Sequence, residues 1–262
     1  MRRHAFPFLL GAVSGALGGL MGVGGGIVLV PLLVHALRVA QHEAQGTSLA
    51  FIIVTALVAV VPYYGHERLD VPLALWLALG AVPGVILGAR LAARTSAARL
   101  RAAFGGILVL TALRMLAAPP QGSGGPGPWP APLNVLLGGI TGTLAGFLGI
   151  GGGTILVPIL VLGQKIDQHT AQGTSLLMIV PVGIVGVVSY ARQGRLATRG
   201  LPALLAGGAF GALAGALLAH RVKAPTLTRL FALLLIATAA QMIFRRPRGN
   251  VARSAESPGG NS

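Results

Sequence analysis

Apolar positions in this chain fall in long continuous runs. Four runs, at 8–37, 46–64, 72–93 and 100–118, are followed by four more at 133–162, 173–190, 200–219 and 226–244. A run of about 20 apolar residues is the length of a helix that crosses a bilayer. The runs do not alternate with period two, which is the mark of a membrane-spanning strand. The pattern predicts an all-α fold: a polytopic helical membrane protein of two repeated units, each of about four apolar segments.

The repeat is written in the letters. "QHEAQGTSLA" at 41–50 returns as "QHTAQGTSLL" at 168–177, 127 positions later. At the same offset Gly11, Gly15 and Gly19 fall on Gly138, Gly142 and Gly146, Tyr63 falls on Tyr190, and Arg68-Leu69 falls on Arg195-Leu196. Between the copies lies "PPQGSGGPGPWPAP", too rich in proline and glycine to be helical. The expected organisation is a first membrane repeat over 1–118, a linker over 119–132, a second membrane repeat over 133–246 and a disordered C-terminal tail over 247–262.

The first segment of each unit is broken, by "GVGGG" at 22–26 and "GIGGG" at 149–153. Each glycine costs a helix about 1 kcal/mol relative to alanine. Backbone released from a helix inside a bilayer has to line a cavity or lie buried in protein. Broken helices at matching places in two halves are the best sequence pointer to a transporter's binding site.

Composition agrees with the pattern. Only 10% of the residues are charged and 54% are hydrophobic, too few charges to wet the surface of a soluble domain of 262 residues. The net charge of +15 raises the question of nucleic acid. The arginines lie in short clusters between apolar runs, where juxtamembrane charge belongs, and no basic stripe or aromatic platform accompanies them. Nucleic acid is therefore not an expected partner. The chain has no cysteine, which excludes disulfides and thiolate metal sites. The N-terminus imitates a signal peptide, but its glycine pattern recurs at 136–149, so the segment is read as retained structure.

Candidate chemistry gathers at the repeated motifs. Gly46-Thr47-Ser48 and Gly173-Thr174-Ser175 follow a polar stretch and open an apolar run, which predicts helix N-termini there. A Thr or Ser at such an end caps the helix. The same geometry, with free N–H groups and a positive dipole end, holds an oxyanion. Gln45 and Gln172 add amide donors. Gly24, Gly25 and Gly26, with Gly151, Gly152 and Gly153, make bends that expose backbone amides, an anion nest. The remaining GxxxG series read as close helix packing. His42 and His169 are the histidines that repeat; they are interfacial loop residues or candidates for proton coupling. The five acidic residues all lie outside the runs, so coupling through a buried carboxylate is not expected. No cofactor, metal or catalytic residue is implied. Ser48 or Ser175 with His42 or His169 would imitate an intramembrane hydrolase, but the Ser-centred GxSxG elbow is missing. A glycine-rich channel is a further alternative.

"GALGGLMGVGGGIVLVPLLV" followed by "AQGTSL", repeated as "GTLAGFLGIGGGTILVPILV" and "AQGTSL", resembles the TauE/SafE (sulfite exporter) family of membrane permeases, over about residues 9–244. The resemblance implies a multi-pass protein of the bacterial cytoplasmic membrane. It also implies that the protein moves a small anion, such as sulfite, a sulfonate or a related sulfur or organic oxyanion. Association into a homo-oligomer is compatible with this reading.

The charges also suggest an orientation. If the two broken segments are re-entrant hairpins, each unit crosses the membrane three times and the halves are inverted. With the N-terminus inside, only Arg68, Arg114, Lys165, Arg221, Lys223 and Arg229 fall outside, leaving 14 of the 20 basic residues in the cytoplasm. Full crossing by the broken segments leaves 11 of 20 inside. The positive-inside rule prefers the inverted arrangement.

Overall fold

A computed structural model describes residues 2–94, 97–117, 129–197 and 200–244. The tail predicted at 247–262 and most of the linker lie outside the described residues. Within them the secondary structure is ten helices: α1 (Arg2–Met21), α2 (Gly26–Ala36), α3 (Gln41–Gly65), α4 (Val71–Arg94), α5 (Ala97–Ala117), α6 (Ala131–Leu148), α7 (Gly153–Leu162), α8 (Gln168–Ala191), α9 (Leu201–Ala219) and α10 (Ala224–Phe244). Five of them, α3, α4, α6, α8 and α9, are at least 18 residues long and apolar enough to cross a membrane. Large apolar side chains such as Leu75, Leu79, Leu110, Leu136, Phe210 and Leu217 are exposed. Such a surface suits lipid as the solvent, not water.

The glycine series determine which helices touch. Gly11, Gly15 and Gly19 on α1 lie against backbone of α9, where a Cβ would overlap the carbonyl oxygens of Leu204, Gly208 and Ala212. Gly138, Gly142 and Gly146 on α6 lie in the same way against Leu77, Ala81 and Val85 of α4. Residue numbers rise together along both contacts, so each pair runs parallel. With no hydrophobic drive between helices in lipid, small residues gain association through close backbone contact. A helix from before the proline-rich stretch thus packs on one from after it at both contacts, so the two parts of the chain are interlocked.

α3 and α8 form the centre and run antiparallel. Gly46, near the start of α3, lies against Tyr190 and Arg195 at the end of α8, and Gly173, near the start of α8, lies against Tyr63 and Arg68 at the end of α3. Both helices begin earlier than the apolar runs do. α3 starts at Gln41 after Ala40, and α8 at Gln168 after Asp167, whose carboxylate accepts from the His169 and Thr170 N–H groups at 3.0 and 3.3 Å. The Gln- and Ala-rich stretch ahead of each motif is good helix-forming sequence and extends the helix backward. Gly46-Thr47-Ser48 and Gly173-Thr174-Ser175 therefore sit one to two turns inside their helices. The expectation that they form helix N-termini is corrected.

Candidate functional site

The helix N-termini that do reach the centre belong to α2 and α7. After α1 the chain turns through Gly22, Gly24 and Gly25 at φ 68°, 71° and 80°, and after α6 through Gly149, Gly151 and Gly152 at 68°, 86° and 74°. The left-handed region is nearly closed to residues with a Cβ, which is why the breaks are written in glycine. Val23 N–H donates to Gly18 O at 3.0 Å, and Gly25 comes back against the Ser14 carbonyl. Pro7 of α1 and Leu33 and Leu37 at the end of the α2 arm line one small cavity, so the two arms form a hairpin. Gly25 and Gly152 cap α2 and α7 without any side-chain bond to the free N–H groups. Val28 and Ile155 N–H donate to the carbonyls of these caps at 3.2 and 3.1 Å, and the helix itself supplies no acceptor for the two N–H groups before each of them.

The two hairpin tips touch. A Cβ on Gly26 would stand 3.2 Å from Ile150 O, and one on Gly153 would stand 3.1 Å from Val23 Cα. The same two positions lie 2.7 Å from Ser48 Oγ and 2.7 Å from Ser175 Oγ. Both serines are fully buried, and neither hydroxyl has a hydrogen-bond partner among the described residues. A buried hydroxyl without a partner costs on the order of 1–3 kcal/mol. The two hydroxyls, one beside each helix N-terminus at the touching hairpin tips, make this a polar spot whose hydroxyls find no partner among the described residues. Ile52 and Ile179 close it: Gly24 abuts both side chains, and Gly151 abuts Ile52.

The other predicted residues divide. Gln45 and Gln172 lie beside this spot, against Gly149 and Gly22 of the opposite hairpins. Gln45 Nε2 donates to Phe147 O at 3.2 Å, whereas Gln172 Nε2 has no partner among the described residues. The threonines are committed elsewhere. Thr47 Oγ1 accepts from Ala197 N–H at 2.9 Å and Thr174 Oγ1 accepts from Asp70 N–H at 3.0 Å, so each hydroxyl ties a loop onto its helix. Gly46 and Gly173 make room for the carbonyls of Arg195 and Arg68 in those loops. His42 is exposed on the first turn of α3, far along the helix from Ser48. His169 sits at the start of α8, with Nε2 3.1 Å from Ala219 O and Nδ1 3.9 Å from Asp167.

Some residues of the site were not singled out by their chemistry. Tyr63 and Tyr190 were visible only as a matched pair, yet their hydroxyls lie 3.1 and 3.4 Å from Oε1 of Gln172 and Gln45. Thr55 Oγ1 donates to Gly24 O at 2.7 Å and pins the first break; its partner position in the repeat, Val182, carries no hydroxyl, so the motif gave no signal. Thr154, next to Gly153, is buried with an unpartnered hydroxyl and lines a cavity of about 270 Å³ between α5 and α7. Among the described residues no group of three His, Cys, Asp or Glu stands close enough to hold a metal ion.

Membrane-length helices arranged around two broken hairpins, with their breaks meeting in the interior, define a polytopic membrane transporter. The chain belongs to the TauE/SafE sulfite exporter family: the family profile described as "Sulfite exporter TauE/SafE" matches residues 7–242. Among its relatives, the probable membrane transporter protein YunE of Bacillus subtilis is 28% identical, over 90% of this chain and 96% of its own length. A probable membrane transporter protein of Xylella fastidiosa (strain Temecula1) is 31% identical over 90% of this chain and 93% of its own. One from Haemophilus influenzae is 29% identical over 90% and 97%. No solved structure matches the chain. The relatives are transporters, not enzymes, and so is this chain.

Proposed function

We propose that this protein carries a small anion, a sulfur oxyanion, sulfonate or related organic acid, across the bacterial cytoplasmic membrane, and that it binds the anion where Gly26 and Gly153 meet. The observation that carries the reading is the pair of buried, unpartnered hydroxyls, Ser48 and Ser175, beside the N-termini of α2 and α7. Hydroxyl donors and helix dipoles suit negative charge, and none of the four acidic side chains among the described residues, Glu43, Glu67, Asp70 and Asp167, belongs to the hairpin tips or follows Gly46 or Gly173 in the central helices. Gly24, Gly25, Gly151, Gly152, Gln45 and Gln172 shape the same spot, while the Thr47 and Thr174 hydroxyls act on it only through the loops they hold. The Ile52 and Ile179 side chains across the site favour a carrier that opens to one side at a time over an open channel.

The two halves are read as inverted. Three observations support this: each hairpin returns to the end where it began, Leu33 and Leu37 beside Pro7 in the first and Gln164 donating to Asn134 Oδ1 at 2.9 Å in the second, α3 and α8 occupy the same place in the two units yet run antiparallel, and the contacts of one half recur in the other 127 positions on. Two equivalent helices that run antiparallel are related by an axis perpendicular to them, which lies in the plane of the membrane.

The test is uptake by purified protein in liposomes offered sulfite, sulfate, thiosulfate, simple sulfonates and small carboxylates. At least one of these anions is moved, and Ser48→Ala with Ser175→Ala weakens its apparent affinity about tenfold or more, as loss of hydrogen bonds to a charged group predicts. Transport confined to cations or neutral solutes, or a double variant that binds the anion normally, removes the reading.

A further inference from the structure

Five residues that play no part in the central site, His66, Arg68, Asp167, His169 and His220, gather at one end of the molecule beside Tyr63. His220, in the turn after α9, stacks on His66 at the end of α3, with ring centroids 4.0 Å apart and planes 6° from parallel. His169 lies 6.0 Å away on the other side, and Tyr63 meets His220 edge-on at 4.7 Å. Arg68, in the loop that leaves α3, reaches Asp167 at 3.5 Å. Facing His220 are thus Tyr63 and His66 from α3, Arg68 from the following loop and His169 from α8, with Asp167 paired to Arg68 behind them; Glu67 and Asp70 are the carboxylates of the same loop. Arg221 and Lys223 are exposed on its own turn.

The cluster sits on a latch. The loop carrying Arg68, Leu69 and Asp70 lies on the first turns of α8: Arg68 O over Gly173, Leu69 against Gly173, Asp70 N–H on Thr174, and the Arg68–Asp167 pair at its edge. The matching loop at the other end, with Arg195, Leu196 and Ala197, lies on Gly46 and Thr47 in the same way. There the positions of His66, Asp167 and His220 are held by Gln193, Ala40 and Ala93. The second latch thus keeps a counterpart of His169, in His42, but its sequence has no counterpart of the His66–His220 stack or of the Asp167 carboxylate.

We propose that His66, His169 and His220 form a proton-binding site that releases the Arg68–Asp70 loop from α8 when the surrounding solution turns acid. His66 Nδ1 lies 2.7 Å from Pro62 O, and His169 Nε2 lies 3.1 Å from Ala219 O, so each neutral ring donates there and keeps its other nitrogen for a proton. A proton on His169 Nδ1 faces Asp167 and competes with Arg68 for that carboxylate. A proton on His66 or His220 puts a positive ring against its stacked neighbour and close to Arg68. Burial, with His66, His169 and Arg68 nearby, already pushes His220 down to about 4. Added charge here therefore drives α3 and its loop away from the end of α9. In the inverted arrangement this end lies outside the cell.

The proposal is independent of the solute, because the loop itself is read. The chain has no cysteine, so Leu69→Cys and Leu196→Cys, made separately, report on the two latches; each leucine packs over a glycine, with Cδ2 3.1 Å from where that glycine's Cβ would stand. Purified full-length protein is reacted with N-ethylmaleimide at about pH 8 and about pH 5.5, which spans the ordinary histidine range. Thiolate depletion slows both thiols alike, so the ratio of their rates is the readout. The expected result is a several-fold rise in the Leu69→Cys to Leu196→Cys ratio at the lower pH. That rise should vanish when His66→Gln and His220→Ala give this end the residues of the other. His66→Gln alone, at an exposed position, should diminish it and covers the case in which the double variant does not fold. A ratio that stays constant, or a rise that survives these substitutions, overturns the proposal.

Discussion

The hydroxyl of Tyr63 lies 3.1 Å from Oε1 of Gln172 and 3.2 Å from the carbonyl oxygen of Gly19. A phenol has one proton and can donate to only one of these acceptors. The hydroxyl therefore donates either to the Gln172 amide oxygen or to the Gly19 carbonyl. Tyr190 stands in the same relation to Gly146 O, at 2.7 Å, and to Gln45 Oε1, at 3.4 Å. The two tyrosines thus connect the breaks to the glutamines beside the central serines.

From this follows an unequal pair of variants. Gln45 has a second anchor in Phe147 O, while Gln172 has none among the described residues. Tyr63→Phe releases the Gln172 side chain and should raise the KM for a transported anion by roughly three- to tenfold, the worth of about one hydrogen bond. Tyr190→Phe should raise it less, with kcat little changed in both. Uptake kinetics in liposomes measure the two KM values; equal effects, or losses confined to kcat, contradict the positioning role.

The threonines make a separate prediction. Thr174→Val leaves Asp70 N–H without its acceptor and Thr47→Val does the same to Ala197 N–H, a cost of about 1–3 kcal/mol each. The Arg68–Asp167 pair still holds the first loop, but among the described residues no such pair is seen at the second. Amide hydrogen exchange should therefore accelerate more at Ala197 in Thr47→Val than at Asp70 in Thr174→Val. If instead exchange is unchanged and anion affinity falls tenfold, the hydroxyls serve the solute directly.

Orientation can be read in intact cells. Glu67→Cys and Gln193→Cys are both at exposed positions in the loops at opposite ends of the α3–α8 pair. With inverted halves, an impermeant thiol reagent labels Glu67→Cys and spares Gln193→Cys. If the broken segments crossed fully, both would be cytoplasmic and both would be spared.

Much of the fold was legible because lipid imposes it. Continuous apolar runs had to be helices, since backbone in hydrocarbon has no other way to satisfy its polar groups. The GxxxG series had to be contacts, and the structure shows which: α1 on α9 and α6 on α4. What failed was the start of α3 and α8. Polar but helix-favouring residues, Gln41 to Gln45 and Gln168 to Gln172, carry no apolar signal, so hydropathy placed the helix end at the glycine that follows.

The sequence by itself determined the class and the two glycine breaks, because each of these rests on local properties: the length of an apolar run and the cost of glycine in a helix. Only the tertiary structure decided what the repeated hydroxyls do. Thr47 and Ser48 are neighbours in the chain, but successive residues on a helix point about 100° apart. One therefore meets a loop from the far end of α8, and the other meets the opposite face at Gly26. The antiparallel meeting of α3 and α8 was equally out of reach, since it depends on contacts between residues more than a hundred positions apart that no local pattern encodes.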